Sequence, residues 1–254
     1  MPTFLTTHDH YLLAAFALFG TLAAAIVLLW LAHATRFAPM IRRYRGLSPP
    51  FVNIIGVLFA LTLAFLANDT WNAHDRAVTA IYHEAGSLHS IHALAQALPP
   101  ALRERAQAAI GAYIDAAKAE WPLLGHRQSL PVTDQAIARL QEILARPDMA
   151  ANLAPAVHAE MLHQAMAVRD WREQRISLSQ THVNPLKWLG MAFLGLLTMI
   201  SIAMVYVDQP KAEFLAIALF AAAAAPTAAI VLIQGNPFQQ PGAVTMEPIT
   251  ALGG

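Results

Sequence analysis

The chain has 254 residues, of which 57% are hydrophobic and 13% are charged, and its formal net charge is zero. Such a composition is too apolar for an ordinary soluble domain, so it indicates an integral membrane protein. The neutral balance gives no sign of a nucleic-acid partner, and the absence of cysteine excludes disulfides, thiolate metal ligands and cysteine nucleophiles.

Four apolar segments are long enough to cross a membrane as helices. A helix needs about 17 to 25 apolar residues to span a hydrocarbon core of about 30 Å. The predicted spans are residues 11–31, 51–67, 186–207 and 212–233. They lack Asp, Glu, Lys and Arg except Lys187 and Glu213, which stand near span ends where a side chain reaches the lipid headgroups. No Lys or Arg precedes the first span, and its apolar run exceeds a signal-peptide core, so we expect a retained anchor.

The second span is predicted to continue into water as one helix. Ser48 is a suitable N-cap, Pro49 and Pro50 suit the first turn, and Gly86 is the first interruption of the helical pattern. At 100° per residue, small and polar side chains share one narrow stripe of this helix. The stripe comprises Asn53, Gly56, Val57, Ala60, Ala64, Ala67 and Asn68, and Trp71, Asp75 and Tyr82 continue it.

Two explanations fit a stripe of this kind on a membrane helix. Small side chains let neighbouring helices approach closely, and buried amides find partners across such an interface. Alternatively, several copies of the helix surround a water-filled path, with Asn53 and Asn68 hydrated and Val57 forming an apolar constriction. A packing face and a pore-lining face are compatible with each other if several subunits form a ring. The candidate pore-lining residues are Asn53, Val57, Ala60, Ala64 and Asn68.

The long segment between the second and third spans is predicted to be helical throughout. Apolar residues recur at intervals of three and four after Pro99 and Pro100, up to Trp121 and Pro122. Further helices are expected at about 133–146 and 155–183. The predicted divisions are 1–67 for the first two spans, 68–185 for the extramembrane helical domain, 186–234 for the last two spans, and 235–254 for a C-terminal tail. The chain is thus predicted to be an all-α membrane protein with a helical bundle inserted between its second and third transmembrane helices.

Several short motifs occur in an order that resembles the bestrophin-like bacterial family of unknown function. They are GVLFALTLAF, Trp71, HDRA, HEAGSL, an amphipathic helix ending in AEWP, a basic VRDWREQRI, and NPFQQPG, and they extend from about Gly56 to Val244. That family is distantly similar to the bestrophins, which are pentameric anion channels. The resemblance therefore implies a homo-oligomeric ring in membrane lipid, with the second transmembrane helix lining a path for small anions such as chloride.

Individual residues agree with this resemblance only in part. Phe65, Asn68, Asp75 and Arg76 fall where bacterial bestrophins carry a similar aromatic, asparagine and Asp-Arg series. In bacterial bestrophins a Glu-Ala pair follows soon after the Asp-Arg pair, whereas in this chain Glu84 stands eight residues after Arg76. The acidic run that binds calcium in animal bestrophins has no counterpart, so calcium gating does not carry over.

Three arginines at intervals of three precede the third span, at Arg169, Arg172 and Arg175. They suit a solvated or headgroup-contacting helix face. They also suit a cationic rim that concentrates anions at a channel vestibule. A third alternative places them inside the bundle, where Asp75, Arg76 and Glu84 join them in buried pairs.

An enzymatic role finds less support. His83, Glu84, His89 and His92 include side-chain types that bind zinc, but their spacing is poor for one helix face, and Gly86 is expected to interrupt that helix. We therefore expect surface histidines and no metal site. No nucleophile triad, phosphate loop or dinucleotide fingerprint is present, so neither catalytic residues nor a cofactor is predicted. A non-conducting scaffold or sensor and a metal-dependent membrane enzyme remain the alternatives to a channel.

The arm between the first two spans contains Arg36, Arg42, Arg43 and Arg45, while the N-terminal tail has no basic residue. The positive-inside rule places a short basic arm in the cytoplasm. In a bacterial inner membrane the helical domain would then be periplasmic. Bestrophins have the opposite arrangement, with the helical region in the cytosol.

Overall fold

The computed structural model describes residues 9–34, 49–180 and 185–251, and it confirms the all-α prediction, since those residues contain helices and no strand. The helices are α1 (Asp9–Ala34), α2 (Pro49–Ala95), α3 (Pro100–Leu124), α4 (Pro131–Leu144), α5 (Pro147–Ala151), α6 (Pro155–Ser179), α7 (Pro185–Tyr206), α8 (Pro210–Ile233) and α9 (Glu247–Thr250). The Ser48 cap and the arginines of the first arm lie outside the described residues.

Four of these helices are long and apolar enough to cross a membrane, as predicted. The qualifying segments are Ala14–Leu31 of α1, the apolar part of α2 beginning at Val52, Leu186–Tyr206 of α7 and Pro210–Ile233 of α8. The helix α2 is 47 residues long, and its second half is polar enough to leave the membrane. One continuous helix therefore carries both a membrane span and the start of the helical domain.

The chain folds into two compact units. Among the described residues, unit 1 contains 9–34, 49–71 and 185–235, and unit 2 contains 72–180 and 236–251. All four predicted spans lie in unit 1. The described part of the predicted C-terminal tail, after Gly235, belongs to unit 2.

Unit 1 is packed through small residues and a few aromatic rings. The Phe59 ring of α2 lies 5.3 Å from the Phe220 ring of α8 and packs against Gly195 of α7, where an added Cβ would stand 3.2 Å from that ring. Ala224 and Ala228 are buried beside Phe59. Small side chains let membrane helices approach closely, which explains why α8 buries alanines and exposes Phe214 and Leu219.

Unit 2 has its own apolar core. The second half of α2 contributes Ile81, Leu88 and Ile91, and the amphipathic face of α3 contributes Tyr113 and Ile114. These residues recur every three or four positions, so each helix turns one stripe inward. Helices α4 and α6 complete the core, and further members are Leu140, Leu144, Met161, Ala165 and Val168.

The C-terminal segment closes this core. Phe238, Val244 and Ile249 are buried in it, and the Phe238 ring meets the Trp121 ring edge-on at a centroid distance of 5.6 Å. The Asn236 amide donates to the Leu124 carbonyl at 3.2 Å, which pins the segment to the end of α3. The motif NPFQQPG therefore has a structural role, because it attaches the C-terminal segment to the end of α3 within unit 2.

Two helices continue past the residues at which the sequence predicts an interruption or an end. Helix α2 continues through Gly86 to Ala95, and α3 continues through Trp121 and Pro122 to Leu124. A glycine inside a helix costs only about 1 kcal/mol relative to alanine, and the buried Ala85 and Leu88 on either side outweigh it. Likewise, the fully buried Leu124 holds the last turn of α3 in place beyond its proline.

Candidate functional site

The predicted pore-lining residues form an exposed stripe on the unit 1 part of α2. Asn53, Val57, Ala60, Ala64 and Asn68 are all solvent-exposed, and Val57 retains 65% of its accessible surface. The fold brings these five side chains onto one face, as the helical period requires. Whether they line a pore stays a prediction.

Packing of α2 within its own chain explains this exposure. Phe59, Leu63 and Leu66 occupy the opposite side of the helix and bury themselves against α7 and α8. Bulky apolar residues, including Ile54 and Phe65, occupy the other edge of the exposed face. The unburied surface of α2 is thus divided lengthwise into a bulky apolar edge and a small, partly polar stripe.

The stripe continues beyond the apolar span. Trp71 is exposed at the end of the unit 1 part, where its indole N–H donates to the Gln234 side-chain oxygen at 3.3 Å. Asp75 and Tyr82, farther along the same helix, are also exposed. Members of the stripe are therefore exposed both in the unit 1 part of α2 and in its unit 2 part.

A buried charge cluster lies in the interior of unit 2. Arg175 donates to Glu84 from Nε at 2.9 Å and from Nη2 at 3.2 Å, and Arg172 donates to Glu120 from Nη2 at 2.7 Å and from Nε at 3.2 Å. The side chains of these four residues are 0 to 1% exposed. Arg172 also pairs with Asp134, whose carboxylate is largely exposed.

Other groups complete the hydrogen bonds of the two buried carboxylates. The Tyr113 hydroxyl donates to Glu84 Oε1 at 2.6 Å, and the backbone N–H of Leu130 donates to Glu120 Oε1 at 2.9 Å. The Arg175 guanidinium lies 5.1 Å from the centre of the Trp121 ring, a cation–π distance. Buried charges are tolerated only when they are paired and hydrogen-bonded in this way.

The cluster shifts the pKa of its own members. Burial raises the pKa of the Tyr113 hydroxyl well above its usual value, and the negative charge of Glu84 raises it further. Burial by itself lowers the pKa of the Arg175 guanidinium, but the interactions with Glu84, Tyr113 and Glu120 together outweigh burial, and the net direction is upward. Arg175 therefore stays charged and Tyr113 stays neutral over the physiological pH range.

This cluster corrects the expectation of an arginine face in contact with solvent or forming a vestibule rim. Arg172 and Arg175 are buried, so they form no exposed rim, and Glu84 is the buried partner of Arg175. Arg169 alone is exposed among the three arginines, and it pairs with Glu173 at 2.8 Å. Asp75 and Arg76 are exposed and do not join the cluster.

Sequence reasoning missed Glu120, the second buried acid. A signal was present, because Glu120 stands seven residues after Tyr113 and four before Leu124, on the apolar face of α3. A carboxylate on a buried helix face requires a cationic partner. Arg172 and Arg175 were the candidates, since their spacing of three residues places them on one side of α6.

The candidate histidines have separate surroundings. His83 stacks on the Trp171 ring at a centroid distance of 4.4 Å, His92 contacts the Gln96 amide at 3.2 Å, and His89 is exposed. In the described part of the chain, no three His, Asp or Glu side chains are grouped as metal ligands. The geometry thus gives no support for a metal centre at these histidines.

The two charged residues of the predicted spans form pairs within unit 1. Lys187 lies 2.6 Å from Asp69, and both side chains are about half exposed. Glu213 is fully buried, and its Oε2 lies 2.7 Å from His33 Nε2. The expectation that its side chain extends to the lipid headgroups is therefore wrong. The buried carboxylate is tied to the last turn of α1 instead, as intramembrane acids generally require a partner.

Comparison with known proteins agrees with the fold. A family model described as Bestrophin-like domain matches residues 19–249. A crystal structure of a bacterial bestrophin homologue from Klebsiella pneumoniae, a point variant, has a TM-score of 0.70 at 10% identity and covers 94% of this chain and 95% of that one. A second structure of that homologue also has a TM-score of 0.70, at 11% identity, with the same coverage.

A further crystal structure, described only as a membrane protein variant, has a TM-score of 0.71 at 11% identity and covers 95% of this chain and 98% of that one. Comparison with curated protein sequences yields no match. The family match covers most of the chain, and the four apolar helices agree with it. The chain is a multi-pass membrane protein and belongs to the bestrophin-like family.

Proposed function

We propose that this chain is one subunit of a homo-oligomeric channel for small anions such as chloride. In this proposal, copies of α2 surround a central path, and the stripe of Asn53, Val57, Ala60, Ala64 and Asn68 lines it. The exposure of that stripe is the observation that carries the proposal, since the described residues of the chain leave it uncovered. Family membership and the bestrophin fold support a ring of subunits.

The chemistry of the stripe suits conduction of weakly hydrated ions. Asn53 and Asn68 offer neutral amides, which donate hydrogen bonds to an anion without trapping it as a buried cation would. Val57 lies between them and supplies an apolar constriction that gates by excluding water. The bulky edge of α2, with Ile54 and Phe65, would face a neighbouring subunit or lipid.

Chloride flux through reconstituted protein tests this proposal. Liposomes containing the purified protein are expected to release chloride faster than empty liposomes. Val57→Ala should raise the flux because it widens the constriction, and Asn68→Asp should lower it because a ring of carboxylates repels anions. Leu58→Ala is a matched control, since Leu58 is also exposed on α2 but lies outside the stripe.

The assembly is measured on the same preparation. A channel requires several copies around a central path, which single-particle imaging of the purified protein resolves. Absence of flux from a well-formed ring would instead favour a non-conducting scaffold. A monomer without a central path would refute the channel altogether.

We further propose that the membrane is the bacterial inner membrane and that unit 2 faces the periplasm. The four arginines of the arm between the first two spans support this orientation through the positive-inside rule. The proposal departs from the cytosolic placement of the helical region in bestrophins.

A further inference from the structure

Unit 1 contains an apolar groove of about 650 Å³ between α1 and α7, with α8 and one residue of α2 forming its floor. Such a volume lies within the range of about 300 to 1,000 Å³ that is usual for small-molecule sites. The groove exists because small residues of α1 and α7 leave space between these helices, and aromatic rings form part of its walls. Its lining includes Gly20, Ala24, Phe59, Trp188, Ala192 and Phe220.

The lining offers almost no polar chemistry to an occupant. The Thr21 hydroxyl lines the groove, but it donates to the Ala17 carbonyl at 2.6 Å and is therefore already satisfied. The remaining lining residues are alanine, glycine, leucine, methionine and aromatic residues. Among the described lining residues, the Trp188 indole N–H is the one buried polar group without a hydrogen-bond partner. An ordered water needs two to four polar partners, so a single donor does not hold one, and a hydrocarbon occupant is favoured.

The length of the groove matches the thickness of one membrane leaflet. On α7 it extends from Trp188 to Met199, which is about 16 Å at 1.5 Å per residue. Half of a hydrocarbon core is about 15 Å. Its Trp188 end coincides with the polar end of unit 1 that carries the Asp69–Lys187 pair, and it stops before the opposite end, which is marked by the His33–Glu213 pair.

The groove has room for a single methylene chain along its length. Carbon atoms pack at contact distances of about 4 Å, and a volume of about 650 Å³ over about 16 Å leaves space for such a chain. Volume, length and polarity therefore all suit an acyl chain.

We propose that this groove is a binding site for one acyl chain of a phospholipid. The chain lies along α7 from Trp188 towards Met199, on a floor that includes Phe59 and Phe220. The glycerol and headgroup lie at the end of unit 1 marked by Lys187 and Trp71. The site is independent of whether α2 lines a pore, because the groove and the exposed stripe lie on different sides of α2.

Retention of phospholipid by the full-length protein tests the site. The protein is purified in a mild detergent from membranes of a defined phosphatidylglycerol and phosphatidylethanolamine composition, and bound phospholipid is quantified by native mass spectrometry and solvent extraction. About one phospholipid per chain is expected to persist through extended washing. Gly20→Leu should reduce that amount by about fivefold or more, because it fills the groove where an added side chain meets no atom of the protein.

Ala23→Leu is the matched control, since Ala23 is exposed on the same helix but does not line the groove. Ala192→Leu on α7 repeats the test from the other wall, with Ala222→Leu of α8 as its control. The site is supported if both filling variants lose the lipid while both controls keep it. It is refuted if the wild type retains none, if filling variants retain as much as controls, or if filling the groove changes only the oligomer mass, which would indicate a second copy there.

Discussion

Arg175 and Glu84 are 91 positions apart in the sequence, yet their side chains form a two-point hydrogen-bonded ion pair in the buried interior of unit 2. Glu84 lies on α2, the helix that also contains the second membrane span, and Arg175 lies on α6. The pair therefore anchors the extramembrane part of α2 in the core of unit 2. A substitution of Glu84 or Arg175 therefore alters the packing of α2, the helix that also carries the exposed stripe.

Glu84→Gln should strongly destabilise unit 2. It leaves the Arg175 guanidinium buried with only the more distant Glu120, at 3.5 Å, as an acidic partner. Breaking a buried ion pair by removing one partner costs about 3 to 5 kcal/mol. Thermal unfolding of the purified protein in detergent should show a lower midpoint. Glu173→Gln removes the acid of an exposed pair on the same helix as Arg175 and should leave the midpoint nearly unchanged.

Tyr113→Phe should destabilise unit 2 by about 1.5 to 3 kcal/mol, because it removes a buried hydrogen bond to a charged acceptor. The same variant isolates a pH effect. The folded pKa of Tyr113 lies above its unfolded value of about 10, so the unfolded chain loses this proton first and stability falls as pH rises past 10.

The two proteins are compared by their unfolding midpoints at a series of pH values. Below the unfolded pKa their difference should be constant, and above it the wild type should fall more steeply than Tyr113→Phe. Parallel curves across the alkaline range would show that Tyr113 titrates alike in the folded and unfolded states.

Gly195→Leu should impair the assembly of unit 1. A Cβ at this position already stands 3.2 Å from the Phe59 ring, so a longer side chain must displace that ring from its contact with Phe220. Overpacking of this kind costs about 1 to 3 kcal/mol. Gly190→Leu on the same helix is the control, because its Cβ meets no atom within 4 Å. Equal yields of monodisperse protein for both variants would contradict the packing described for Phe59.

The absence of cysteine permits a direct test of orientation. Ala138→Cys places a single thiol on the exposed surface of unit 2, and Lys211→Cys places one at the exposed start of α8. If unit 2 is periplasmic, a membrane-impermeant maleimide added to spheroplasts should label the first variant and spare the second. The reverse pattern would place unit 2 in the cytosol, as in bestrophins.

Hydropathy and helical periodicity were enough to predict most of the helices and their membrane character. Runs of about 20 apolar residues predict spans because length and hydropathy alone decide whether a helix suits hydrocarbon. Continuity of α2 from the membrane span into polar sequence was predicted as far as Gly86, since no proline follows Pro50 in that stretch. The stripe from Asn53 to Asn68 followed from the helical period, and the structure places it on an exposed face.

The burial of particular charges and the packing of the C-terminal segment depend on contacts between residues that are distant in the chain. For Glu84, Arg172 and Arg175 the sequence left solvated and buried positions open, and it gave no prediction for Glu120, because charge is usually solvated and the partners are far apart in the chain. Folding brings them together, and pairing offsets the desolvation of each. The burial of Phe238 and the apolar groove beside Gly20 also arise from contacts between distant parts of the chain. Both depend on helix packing, which a one-dimensional pattern does not encode.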